Sequence, residues 1–115
     1  MRDHLVPLLQ EIIDNSALLM TQTDLEDLQH KFIEGIHTKA GEMLNLLISI
    51  PDFTWDRAKE VVSYESRSHL TSILGYAEEL LEEPDSPLSA TQREVVQHIH
   101  RRGRMLMNRL AEVLD

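Results

Sequence analysis

Apolar residues recur at steps of three and four along nearly the whole chain, the spacing that puts one stripe on the face of an α-helix. Leu5, Leu8, Leu9, Ile12, Ile13, Leu19 and Met20 predict a first helix over about residues 2–21. Thr23-Asp24-Leu25-Glu26 has the form of a capping box, in which Thr23 accepts from a free amide and Glu26 answers. It predicts the start of a second helix with Leu25, Leu28, Phe32, Ile36, Ala40, Met43, Leu47 and Ile50 inward, in an approximate heptad rhythm. Pro51 ends that helix, since proline lacks the donor and disfavours helix in the residue before it. Thr54, with Asp56 in the first turn, predicts a third helix to about Glu83, with Val62, Leu70, Ile73, Leu74, Ala77, Leu80 and Leu81 inward. Pro84-Asp85-Ser86-Pro87 breaks it. Ser89-Ala90-Thr91-Gln92 is a second capping box and opens a fourth helix with Val95, Val96, Ile99, Leu106, Leu110 and Val113 inward.

Short connections between such helices predict an all-α, antiparallel up-down-up-down four-helix bundle made of two hairpins, residues 1–50 and 54–115, in one domain. The halves resemble one another. Ile36-His37-Thr38-Lys39-Ala40 parallels Ile99-His100-Arg101-Arg102-Gly103, and Arg2-Asp3-His4-Leu5 parallels Arg67-Ser68-His69-Leu70. On this reading His37 and His100 hold equivalent places and face one another. The first helix, at about 20 residues against roughly 26–30 for the others, falls short by about 10 Å at 1.5 Å per residue. A groove then lies open near Phe53, Trp55, Val61 and Val62, and exposed apolar area of that kind marks an interface for a second copy or another partner.

Composition narrows the class. At 115 residues the chain is too small to carry a nucleotide-binding lobe as well as this bundle. A formal charge of −9 repels phosphate backbones and argues against nucleic acid. With no cysteine there are no disulfides or thiolate zinc sites, which suits a reducing cytoplasm. No apolar run reaches membrane-spanning length, and Met1-Arg2-Asp3-His4 lacks the pattern of a signal peptide. A cytoplasmic protein without membrane segments is the expectation.

The densest motif is Ser63-Tyr64-Glu65-Ser66-Arg67-Ser68-His69-Leu70, continuing as Thr71-Ser72-Ile73-Leu74-Gly75-Tyr76-Ala77-Glu78-Glu79-Leu80-Leu81. It resembles the phosphoacceptor helix of the histidine-kinase dimerisation and phosphotransfer domain, whose pattern is S-H-E-L-R-T-P-L followed by T-S-I-x-G-Y-x-E-x-L-L. Ser63, Glu65, Arg67 and Leu70 match the box. Tyr64 stands where the phosphorylated histidine belongs, and His69 stands where the proline belongs. In that family two chains each supply one hairpin, so the resemblance implies that this chain is a pseudo-dimer folded within itself.

The resemblance also implies which chemistry is lost. Phosphotransfer needs an imidazole nitrogen, and a phenol with a pKa near about 10 is a poor nucleophile without a strong base. Glu65 keeps the orienting carboxylate's place but has nothing to orient. The matching position in the first hairpin would precede Met1. The leading expectation is therefore a non-catalytic two-component signalling module with no cofactor, a scaffold for a response-regulator receiver domain or a sensor kinase. By resemblance its contacts are Arg67, His69, Thr71, Ser72, Gly75, Glu78 and Arg101, with Arg101 near the level of Arg67 and His69. The alternative is a histidine phosphotransfer protein using a non-standard acceptor such as His69, one of six histidines. His69 lies five residues, about 140°, round the helix from Tyr64 and reads equally as a polar flanking residue. Tyr64 reads as a side chain that packs its ring. A third reading is a structural bundle with shared packing alone. Glu94 and His98 are a helical turn apart, but two ligands do not close a metal site, and none is expected. The acidic run Glu78, Glu79, Glu82, Glu83 and Asp85 reads as a solvated face at the hairpin tip.

Overall fold

The computed structural model describes residues 2–22, 24–82 and 87–114, and all its regular elements are helices. Four helices follow one another: α1 (Arg2–Met20), α2 (Asp27–Ser49), α3 (Trp55–Glu82) and α4 (Ala90–Leu114), with a single 3₁₀ turn, Asp52–Thr54, leading into α3. Among the described residues there is no strand. α1 packs on α2 and α4, and α3 packs on α2 and α4, so the helices form a closed ring of four seams round one core. The body measures 47 × 23 × 18 Å.

The helix starts are set by local chemistry. Ser89 and Gln92 form the expected box: Gln92 N–H donates to Ser89 Oγ at 3.1 Å, and Ser89 N–H donates to Gln92 Oε1 at 2.9 Å. The expected box at Thr23–Glu26 is replaced by one a turn later, where Gln29 Oε1 accepts from Glu26 N–H at 2.9 Å. Thr23 itself lies outside the described residues. Glu26 serves as the cap of α2, and the box puts Gln29 at the third helical position, where its amide reaches back. Thr54 does not cap α3 directly. Its hydroxyl donates to the Pro51 carbonyl at 3.0 Å and closes the 3₁₀ turn. The end of α3 is tied down by Arg93, which donates to the Leu81 carbonyl at 3.1 Å and satisfies an otherwise free acceptor.

The buried positions are more regular than the apolar pattern. On α2 they are Gln29, Ile33, Ile36, Ala40, Met43 and Leu47, alternating four and three. Shifted by 63 positions, the same set recurs on α4 as Gln92, Val96, Ile99, Gly103, Leu106 and Leu110, all buried. The first half of α2 is thus rotated from the expectation: Leu28, expected inside, is 53% exposed and Phe32 is half-buried, while Gln29 and Ile33 point inward. The correction comes from the box, because a glutamine that caps from the third position must lie under the helix end.

α1 and α3 show the same relation with a shift of 61. Leu5, Leu9, Ile12, Ser16 and Leu19 answer to Ser66, Leu70, Ile73, Ala77 and Leu80, every one of them buried. At that shift the parallel of Arg2 with Arg67 stands one helical turn away, and Tyr64 aligns with Asp3 rather than with a position before Met1. Helix lengths of 19, 23, 28 and 25 residues keep α1 the shortest, but α2 and α4 fall below the expected range.

Glycine allows close approach on two seams. A Cβ on Gly35 would sit 2.7 Å from the Tyr76 ring, and one on Gly103 would meet a Leu74 methyl at 2.9 Å. Gly41 has nothing within 4 Å of that position. Gly41→Ala should raise the unfolding free energy by about 0.5–1 kcal/mol through reduced chain entropy. Gly35→Ala should lower it by about 1–3 kcal/mol, because a ring cannot fold away as a methyl end can. Urea unfolding of the two variants measures the contrast, and equal effects would refute the packing argument.

Candidate functional site

The motif helix α3 presents three different surfaces. Ser63 and Ser66 point inward and are buried, and neither hydroxyl has a hydrogen-bond partner among the described residues. A single hydroxyl costs far less to bury than a charge, and small side chains let the neighbouring helices close over the motif. Tyr64 and Glu65 point outward. Tyr64 is 78% exposed, so its ring does not pack, contrary to the expectation for that side chain. Its hydroxyl has no hydrogen-bond partner among the described residues, so no base or acid is held against it.

His69 turns toward α2. Its side chain is 21% exposed, and Nδ1 lies 3.6 Å from Glu42 Oε2, a carboxylate that also meets Lys39 Nζ at 3.5 Å. Arg67 and Ser72 are half-buried and Thr71 is exposed. The Thr71 hydroxyl donates to the Arg67 carbonyl at 2.8 Å, so its proton is committed to its own helix. Gly75 is open to solvent on its Cβ side. Glu78 turns toward α4 and meets His100 Nε2 at 3.1 Å. The expected contact row thus spans two seams and the ridge between them.

Arg101 does not belong to that row. It follows His100, which is level with Glu78, so it lies about ten residues, roughly 15 Å, along α3 from the level of Arg67. It also faces the other way, lining a shallow cavity of about 490 Å³ with Asn15 of α1 and with Gln97 and His98. Helix periodicity explains the error: level along a hairpin depends on register, which the basic run alone does not fix.

The expected open groove is half right. Phe53 is 87% and Val61 60% exposed, and Trp55 is half-buried against the core. Val62, by contrast, is only 2% exposed and belongs to the core. Its neighbour Val61 is exposed because one residue along a helix is a 100° rotation.

The polar contacts that sequence reasoning missed lie across the seams. Each seam holds one histidine: His37 beside Ser16 between α1 and α2, His69 beside Glu42 between α2 and α3, His100 beside Glu78 between α3 and α4, and His98 beside Glu11 between α4 and α1. His37 and His100 therefore do not face one another. Glu11 also approaches Arg102 Nε at 3.0 Å, as a charge pair out of line for a hydrogen bond. His98 and Arg102 are four apart on α4, and that spacing was the available signal. Gln92 Nε2 donates to Asp24 Oδ1 at 2.9 Å and pins the α1–α2 connection to the start of α4. Among the described residues no three His, Cys, Asp or Glu side chains gather as metal ligands. No helix among them is long and apolar enough to cross a membrane.

Searches against protein-family models, curated proteins and solved structures gave no match.

One proton assignment follows from the geometry. Ser16 Oγ donates to the Ile13 carbonyl at 2.9 Å and lies 3.0 Å from His37 Nδ1. A hydroxyl has a single proton, so while it goes to the carbonyl the imidazole is the donor, and the expected neutral tautomer of His37 carries its hydrogen on Nδ1. Nitrogen-15 NMR of the ring should show that tautomer, and an Nε2–H form would refute it.

Proposed function

We propose that this chain is a non-catalytic two-component signalling module, a degenerate histidine-kinase-like bundle that binds a response-regulator receiver domain or a sensor kinase in the cytoplasm. The observation that carries the reading is Tyr64: the acceptor position of the motif lies on the outward face of α3, where a partner reaches it, and holds a phenol with no base beside it. A surface for docking survives there without the nucleophile for phosphoryl transfer.

In this reading the helices run up-down-up-down and antiparallel, and the chain is a pseudo-dimer of two hairpins. The order of cross-helix neighbours supports it. Gly35 meets Tyr76 while Glu42 meets His69, and Leu74 meets Gly103 while Glu78 meets His100, so position rises on one helix as it falls on the next. The recurrence of the buried rows at shifts of 63 and 61 supports the duplication. So does the placing of His37 and His100, 63 apart, each reaching the other helix of its own hairpin.

The contact face is the ridge of α3 around Thr71, Ser72 and Gly75, flanked by Arg67. A second reading, a histidine phosphotransfer protein, draws on His69 and its Glu42 neighbour, since a carboxylate beside an imidazole is the orienting pair such chemistry uses. Calorimetry against the receiver domains and sensor kinases of the same cell should give saturable binding with at least one. Gly75→Arg, placed where nothing lies within 4 Å, should weaken that binding about tenfold or more without changing the helical circular-dichroism signal. No binding to any of them would overturn the proposal. Acid-labile phosphate on the wild type that vanishes in His69→Ala would establish the second reading instead.

A further inference from the structure

Along the outside of α3, Arg57, Val61, Tyr64, Ser68, Thr71 and Gly75 alternate by four and three, the spacing of a coiled-coil seam. The inner face of the helix is already used by the core, so this is a second seam on the same helix. It has nothing packed on it: Val61 and Tyr64 are 60% and 78% exposed, and Arg57, Ser68 and Thr71 are exposed with them. We propose that this seam is a self-association surface on which α3 of a second copy lies antiparallel, related by a two-fold axis. The inference is independent of the proposed function.

The flanking charges choose both the occupant and its direction. Glu60 and Arg67 are seven apart and share one flank of the seam, and Glu65 lies on the other. Among the described residues neither Glu60 nor Arg67 engages its charge in an ion pair. In the antiparallel arrangement Val61 packs on the partner's Tyr64 and Tyr64 on the partner's Val61. Glu60 then faces the partner's Arg67, and the two-fold repeats the pair. The Arg57 stem crosses the partner's Ser68, whose small side chain leaves room for it.

A parallel arrangement reverses the balance. Glu60 would then face the partner's Glu65 on both sides, and Arg57 would stack on its own copy. Like charges reject that register, so one sequence encodes both the attractive pairing and the rejection of its alternative. The flat surface left by Ser68, Thr71 and Gly75 lies level with the exposed Phe53 of the other copy, which extends the same contact.

The test is sedimentation equilibrium on the full chain over a concentration series. The wild type should pass from monomer to dimer, and a chain still monomeric at about 1 mM overturns the proposal. Glu60→Arg and Arg67→Glu each turn two attractions into two repulsions and should raise the dissociation constant about tenfold. The double variant restores opposite charges and should bring it back; a double variant that stays weak overturns the pairing. Thermal melts of the monomers should match, since Glu60 is exposed and the half-buried Arg67 engages no ion pair among the described residues. The chain has no cysteine, so direction is read by cross-linking. Arg57→Cys mixed with Ser68→Cys should form a disulfide, and neither should do so alone. A Ser68→Cys self-link, or a dimer that forms without the mixed link, refutes the antiparallel seam.

Discussion

The structure depends on four inward rows of buried side chains, each of which includes a small residue. Ala40 and Gly103 hold equivalent places on α2 and α4, and Ser16 and Ala77 on α1 and α3, and all four are buried. Leu and Ile on either side then interdigitate at core density, each contributing about 1.5–3 kcal/mol by leaving water. The polar contacts across the seams are of another order. Exposed pairs such as Glu78 with His100 contribute about 0–1 kcal/mol each. Burial therefore decides that the helices collapse together and in which rotation, and the seam contacts add to the choice of the level at which they meet.

That division explains what could be read from the sequence. The four helices, the Ser89–Gln92 box and the stop at Pro51 were legible because each depends on residues a turn apart. The heads of the inner rows were not. Gln29 and Gln92 are polar, so counting apolar residues passes over them and chooses Leu25, Leu28 and Phe32 in their place. Ser16, Ser63 and Ser66 were missed for the same reason: size, rather than polarity, admits them to the core. The likeness of the buried rows was legible on α2 and α4, where histidine and aliphatic residues recur in order. On α1 and α3 a chance likeness between Arg2 and Arg67 outweighed the buried register by one turn.

The candidate contact residues show a deeper limit. Arg67 to Glu78 could be placed on one helix from spacing alone. Which of them turn toward α2, toward α4 or toward solvent depends on the rotation of α3 within the ring, and that follows from Val62, Leu70 and Ile73 rather than from the motif. His69 and Glu78 are drawn into seams by Glu42 and His100. Arg101 is carried to the opposite side of α4. What remains on the outer ridge is small and polar from Ser68 to Gly75, and apolar at Val61 and Tyr64.

This ridge has one consequence for any partner. A helix has a single outward face, and the residues proposed to receive another protein, Thr71 and Gly75, belong to the seam proposed to receive a second copy. Both cannot be occupied together, because each would displace the other from the same strip of surface about one helix wide. If both surfaces are used, the dissociation constant of the dimer sets the concentration above which the chain hides its own docking face, and a partner must outbid self-association by the difference in free energy. Tyr64 is central to that competition. An imidazole there would leave a small polar edge in the seam, whereas the phenol ring offers an area for Val61 of another chain to cover. On the proposed reading, the phenol standing in the acceptor's place would thus also supply the apolar contact of the proposed self-association.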